Sequence, residues 1–315
     1  MNSILSSILP VIQNSQYVTY NIQAAQHFVD KLKSAKVEIP QWNLQYHYYD
    51  ASPRTVTYVL ILDSLNFSFW GKPRWTIEYE GEKLNGYFAL AASLKRAFTK
   101  GIPLDDPDYL THISEQELGD ILKGNHTIPL LKERTAILHE IGTILIQHFN
   151  AKGTVLVEQA NRSVQELLKI LIYYFPNFRD EVDYNGHRVY FYKRAQIFCA
   201  DLWGTFSGKN WGEFHDINQL TAFADYKLPQ VLRSLGILKY DLTLAKKVDH
   251  QNEIPSCSKE EVEIRAFTLY AVEEIKKIFS TLGVHYNSMQ IDWLLWQMGQ
   301  GIKTMPYHHT RTIFY

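Results

Sequence analysis

Between Tyr190 and Asp225, charged residues interrupt stretches too apolar to be ordinary surface, and their types and spacing could do chemistry. At about 100° per residue on a helix, Arg194 and Asp201 fall near one meridian, with Lys193 and Ile197 beside them. One face would then hold cations and a carboxylate next to Phe198 and Trp203. Desolvated charge is costly unless paired, so this face is either an internal ion-pair network or a polar pocket. A second carboxylate, Asp225, stands in the apolar and aromatic run Phe223-Ala224-Asp225-Tyr226, just ahead of Pro229. It either caps the helix beginning near Leu228, as Asp readily does, or is a carboxylate held for chemistry by helix N-terminal amides.

Helical periodicity dominates the elements that must position these groups. It predicts helices over Ile22 to Leu32, Tyr87 to Phe98, Ser114 to Leu122, Ile128 to Phe149 and Ser163 to Tyr174. Further helices are predicted over Tyr192 to Trp203, Leu228 to Leu235, Lys259 to Leu282 and Ser288 to Met298. Two hairpins are expected, Trp75 to Tyr79 with Lys83 to Tyr87, and a second around Tyr184-Asn185-Gly186-His187, because glycine supplies the positive φ of a tight turn. Val56 to Leu62 reads equally as a buried strand or a helix. With no repeat, hinge or low-complexity linker, residues 1–315 are expected to form one compact, mainly α domain with small β-hairpins.

Composition narrows the function classes. The 315 residues are 46% hydrophobic and 14% aromatic, enough for a large core and incompatible with global disorder. A formal charge of −1 supplies no long-range field for a polyanion, which argues against a stable nucleic-acid partner. Cys199 and Cys257 are the only cysteines, too few for a disulfide framework or a cysteine zinc site, so a reducing cytoplasm is expected. No apolar run approaches the length of a membrane span, and Ile4 to Ile12 reads as a first amphipathic segment rather than a signal peptide. Phosphate loops, dinucleotide fingerprints, nucleophile elbows and His-Glu-x-x-His are absent, and the adjacent His308 and His309 lack chelating spacing, so no metal or cofactor is expected.

Several separated motifs carry a family resemblance. Asn66-Phe67-Ser68-Phe69-Trp70, Gly86-Tyr87, Phe223-Ala224-Asp225-Tyr226 and the closing Pro306 to Tyr315 together resemble the queuosine salvage proteins, over roughly Val18 to Tyr315. Those are queuosine 5'-phosphate N-glycosylases, which release the base queuine from its nucleotide. The resemblance implies a fold like that of helical DNA glycosylases and a small-molecule nucleotide as substrate.

Cleavage of an N-glycosidic bond develops positive charge on C1' and the ribose ring oxygen, so it needs a carboxylate near the sugar and a positioned water. The resemblance implies that Asp225 is this catalytic group, within a Phe223, Ala224 and Tyr226 surround. Lys193 is expected to hold the 5'-phosphate, while Asp201 either binds ribose hydroxyls or secures Lys193 and Arg194. Asp63, Asn66, Phe67 and Trp70 are expected to wall the base, since aromatic faces stack on flat heterocycles and an amide reads their edge. Asp292 either pairs with queuine's protonated amine or is an acidic first-turn residue of a helix capped at Ser288. The family's tryptophan-then-histidine region, here beginning at Trp42, makes His47 a further candidate. Arg311, on a tail whose Ile313, Phe314 and Tyr315 should dock, either meets phosphate or pairs internally. The alternative from another class is a non-enzymatic binder of a nucleotide or modified base; a DNA glycosylase is disfavoured by the near-zero charge.

Overall fold

A computed structural model describes residues 3–35, 42–302 and 304–315. Met1 and Asn2 lie outside the described residues. The N-terminal half comprises α1 (Ser3–Ser7), α2 (Leu9–Gln13), β1 (Val18–Tyr20), α3 (Ile22–Ala35), α4 (Pro53–Ser64), β2 (Thr76–Tyr79), β3 (Glu82–Asn85) and α5 (Gly86–Thr99), followed by α6 (Pro107–His112), α7 (Glu115–Ile121), α8 (Leu131–His148), α9 (Gly153–Glu158) and α10 (Val164–Tyr174). The remainder comprises β4 (Glu181–Tyr184), β5 (His187–Tyr190), α11 (Lys193–Thr205), α12 (Lys227–Ser234), β6 (Leu238–Tyr240), α13 (Leu242–Asp249), α14 (Lys259–Thr281) and α15 (Ser288–Gln300). The fold is mainly α, as the periodicity predicts, and its buried apolar residues form a contiguous cluster from Ile4 to Leu295.

Both predicted hairpins form, β2 with β3 across Glu80-Gly81 and β4 with β5 across Asn185-Gly186, each turn holding two residues at positive φ. The first ends two residues earlier than predicted, because Gly86, at φ 58, breaks from the strand and starts α5. A third ladder, β1 with β6, pairs Val18 with Tyr240 from opposite ends of the chain. Two three-residue strands so far apart carry no local signal.

The ambiguous segment Val56 to Leu62 is helical and belongs to α4, which is buried at every residue from Thr55 to Ser64. A helix covered all round shows no amphipathic stripe, which is why periodicity could not separate it from a buried strand. Pro53 opens α4, and the Ser52 side chain accepts the Arg54 amide as its cap. Packed against α11, α5 and α9, α4 delivers its C-terminus into the interior.

Buried cations meet that C-terminus. Arg194 donates to Ser64 O, Arg134 to Leu65 O and, at 2.5 Å, to Phe67 O, and Lys193 Nζ to Asn66 O at 3.1 Å. Four consecutive carbonyls are thus held by three cations that are all but inaccessible to water. The last carbonyls of a helix carry partial negative charge and lack intrahelical donors, so cations there replace both water and counter-charge. The surrounding backbone is strained: Ser68, Leu130 and Tyr192 take left-handed φ of 41°, 56° and 49°, the last two directly preceding α8 and α11.

This arrangement predicts that Arg134→Met is strongly destabilising. The variant would strip donors from Leu65, Phe67 and Pro129, and orphaned buried acceptors cost about 1–3 kcal/mol each. Its urea midpoint should fall by the equivalent of about 3 kcal/mol or more. An unchanged midpoint would mean that the carbonyls are not dependent on Arg134.

Candidate active site

Two adjoining cavities, of about 790 and 400 Å³, share Asn66, Tyr87, Lys193, Asp225 and Trp296 in their walls and form one cleft. The larger is a mouth to which Lys72, Arg74, Lys227, Tyr307 and His309 contribute. The smaller is a chamber lined by Trp42, Tyr87, Phe88, Trp293 and Trp296, with the carboxyls of Asp201 and Asp292. Combined, they offer the room and the mix of apolar wall and few polar groups expected of a small-ligand site.

Asp225 stands where mouth and chamber meet. Its Oδ1 accepts the amides of Lys227 and Leu228 at 2.7 and 3.0 Å, so it anchors the start of α12. The cap and the cavity carboxylate, posed as alternatives by the sequence, are the same group. Burial raises the Asp225 pKa, opposed by the charge of Lys193 and by the two amides. Lys193 in turn is pulled down to about 8 by burial, with Asp225 the foremost charge that favours its protonated form.

The chamber carboxyls are protonated more readily than ordinary ones. Asp292 accepts the Phe223 amide at 2.7 Å, which ties α15 to the Phe223-Ala224-Asp225 segment, and burial pushes its pKa well up. Asp201 contacts Asp63, and both are raised by burial. The Tyr87 hydroxyl lies 3.0 Å from Asp201 Oδ2 and 2.9 Å from His47 Nε2. His47 Nδ1 lies 2.5 Å from Asn43 O, and burial lowers its pKa to about 4. Trp42 packs on the His47 ring with centroids 4.3 Å apart.

The cleft gathers Lys193, Asp201, Asn66, Phe67, Phe223, Asp225, Tyr226, Asp292 and His47 into its walls. Other expectations need correction. Arg194 does not pair with Asp201: seven residues along a helix separate them by about 10 Å along the axis, and Arg194 spends its donors on Ser64 O and Asn177 O. Asp63 and Trp70 are absent from the cavity walls; Trp70 stacks on His309 at 4.6 Å and donates to Thr310 O. The Phe67 ring is occupied by the guanidiniums of Arg134 and Arg194, at 4.1 and 5.2 Å. Ala224 offers its carbonyl to Arg265 Nε at 3.0 Å rather than a surface to the cleft.

Lys193 lines both the mouth and the chamber, with its ammonium donating to Asn66 O. Arg311 is half-exposed outside the cleft, over Trp70 and 3.5 Å from Glu253. The cap of α15 is Asn287, in a reciprocal box with Gln290, which moves Asp292 beyond the first turn. Among the described residues no group of three or more His, Cys, Asp or Glu could hold a metal.

Sequence reasoning missed the mouth cations Lys72, Arg74 and Lys227, whose local sequence looks like solvated surface. It also missed Trp293 and Trp296, three residues apart on one face of α15, where spacing offered a usable signal. Tyr307 stacks on Tyr226 at 4.7 Å and accepts from Arg74 at 3.0 Å, so the C-terminal segment completes the mouth.

Residues 46–315 match the family model described as queuosine salvage protein. Three relatives carry the name queuosine 5'-phosphate N-glycosylase/hydrolase. That of Sphaerobacter thermophilus is 44% identical over 99% of this chain and 97% of its own, that of Nematostella vectensis 39% over 93% and 91%, and that of Mus musculus 35% over 97% and 96%. With the motif words distributed through one cleft and likeness along nearly the whole length, the chain belongs to the queuosine salvage protein family.

Proposed function

We propose that this protein hydrolyses the N-glycosidic bond of queuosine 5'-phosphate, releasing queuine for salvage into tRNA modification. The observation that carries the reading is the position of Asp225, a buried carboxylate between an aromatic, acid-lined chamber and a cationic mouth. The base occupies the chamber, where Trp42, Tyr87 and Trp296 offer rings and Asp292 a carboxyl for the side-chain amine. Ribose lies over Asp225, and the 5'-phosphate meets Lys72, Arg74 and Lys227. Contacts at both ends align C1' with Asp225, so remote binding energy is spent on orientation. The Asp225 carboxylate then opposes the charge that develops on C1' and the ring oxygen as water adds.

A pure binder would not need a carboxylate under the sugar, so the binding-protein alternative is not favoured. The continuous core supports reading residues 1–315 as one domain. No helix among the described residues is long and apolar enough to cross a membrane, and Cys199 and Cys257 are both free.

Asp225→Asn keeps the shape and the acceptor for α12 but removes the charge. Its kcat on queuosine 5'-phosphate should fall by roughly a hundredfold or more with KM little changed, measured by chromatography of released queuine. Near-normal turnover would remove Asp225 from its catalytic role.

Only ionised Asp225 can stabilise the transition state, so kcat/KM should fall as pH drops through a pKa raised above the usual carboxylate range. In Lys193→Met the favourable neighbouring cation is gone, the Asp225 pKa rises further, and this acid limb should move to higher pH. A limb that stays in place would separate Lys193 from Asp225.

Nucleotide should be a better substrate than nucleoside, and Lys227→Met should shrink that preference while Lys193→Met slows both by similar factors. The ratio of kcat/KM values for the two substrates in each variant tests the assignment as a double-mutant cycle. A preference lost in Lys193→Met and kept in Lys227→Met would return the phosphate to Lys193.

A further inference from the structure

Lys227 is the mouth cation nearest in the chain to Asp225. Its amide donates to Asp225 Oδ1 at 2.7 Å, and its side chain is half-buried. Burial lowers the Lys227 pKa, and the Asp225 charge is the foremost one opposing that fall. A lysine on so short a tether, partly out of water, is drawn to fold back and pair with the carboxylate. Such a pair would withdraw the cation from any ligand and the anion from the sugar. The structure has another arrangement: among the described residues Lys227 forms no ion pair, and it lines the mouth but not the chamber.

Two uncharged acceptors hold the ammonium instead. It donates to Gln230 Oε1, three residues on in α12, at 2.9 Å, and to Gly299 O, in the last turn of α15, at 3.3 Å. The last carbonyls of a helix carry partial negative charge, which favours a cation there. The lysine stem lies against the α15 backbone: a Cβ at Gly299 would stand 2.6 Å from Lys227 Cδ and 2.9 Å from Val231 Cγ2, closer than real side chains approach. Glycine is a poor helix former, and this close approach accounts for its place inside α15. Gln230 is fixed in turn, since its Nε2 donates to Met305 O, on the segment that carries Tyr307. An ammonium has three N–H groups, so one remains for a ligand, and neither acceptor cancels the charge. Lys227 Nζ lies 5.5 Å from the centre of the Tyr307 ring, and Arg74 donates to the hydroxyl of the same residue, so two mouth cations meet around one side chain.

Resting on the reading of the mouth as the phosphate site, we propose that Gly299 and Gln230 are positioning residues that hold the Lys227 ammonium off the Asp225 carboxylate and in the mouth, where it meets the substrate's 5'-phosphate. The tether keeps apart two opposite charges that are joined by only two residues of chain. Asp225 stays free to oppose the charge that develops on C1', and Lys227 stays free for the phosphate. Gly299 does this with its carbonyl and with its missing side chain, and Gln230 with one amide group that accepts from Lys227 and donates to the C-terminal segment. Both residues act through Lys227.

The test reads kcat/KM for queuosine 5'-phosphate and for the nucleoside in Gly299→Ala, Gln230→Met and Lys227→Met, and in each of the first two combined with the third. Gly299→Ala and Gln230→Met should each shrink the preference for nucleotide by about tenfold, the scale of a hydrogen bond to a charged group. Neither should shrink it further once Lys227 is replaced, because a residue that acts through Lys227 has nothing left to position. Alanine is the better helix former, so a loss in Gly299→Ala comes from the displaced lysine and not from α15. Losses that fall equally on the two substrates in either single variant, the mark of a merely structural role, would overturn the proposal. So would a preference kept whole in either one, or double variants whose losses add to that of Lys227→Met. Should Gly299→Ala fail to fold, Gln230→Met and its double variant decide. Lys227→Met protein that keeps the full preference would instead refute the phosphate reading, and this inference with it.

Discussion

The grip of Lys193, Arg194 and Arg134 on the carbonyls of residues 64 to 67 is the constraint on which the rest of the architecture depends. A helix that ends in the interior leaves acceptors that no water can reach, and three buried cations with no solvent have a complementary deficit. Each problem is the solution of the other. Because guanidinium donors are directional, the contact also sets where the chain goes next: Asn66 enters the cleft, while Phe67 turns beneath the two guanidiniums. Alanine-sized or uncharged replacements could fill the volume but would not meet four acceptors.

That constraint places the reactive groups. Lys193 cannot both hold Asn66 O and wander, so its charge stays beside Asp225 and favours the ionised form that burial disfavours. Further along α11, burial outweighs the charge of Lys193 at Asp201 and, on α4, the charges of Lys193 and Arg194 at Asp63. Along one helix, Lys193 offsets the desolvation of Asp225, while burial raises Asp201 and its neighbour Asp63.

The C-terminal segment has a comparable double role. Ser68 donates its amide to Tyr315 O and its hydroxyl to Thr312 O, and Trp70 donates to Thr310 O, so the last residues lie along the segment that leaves the carbonyl grip. Tyr315 also lies over Arg265, whose guanidinium forms a buried bridge to Asp180. Docking of the tail thus couples the mouth residue Tyr307 to the cation-rich interior.

Much of this was legible in the residue order. Helices α3, α5, α7, α8, α10, α11, α12, α14 and α15 follow from 3.6-residue periodicity, both tight hairpins from glycine in their turns, and the Phe-Ala-Asp-Tyr word from its charge in apolar surroundings, whereas α6, α9 and α13 were not read from the sequence. These are local properties, decided within one or two turns of chain. The meridian shared by Arg194 and Asp201 was also legible, but angular position says nothing of the rise that keeps them apart. Which partner each buried charge meets was decided only by the tertiary structure: Arg194 found the end of α4, Asp201 found Asp63, and Phe67 lost its ring face to guanidiniums. Lys72, Arg74 and Lys227 looked like solvated surface until distant segments were brought around one mouth. Periodicity can say that a side chain must be buried, whereas the identity of its neighbour depends on contacts between segments far apart in the chain, where the free energy of desolvation is settled.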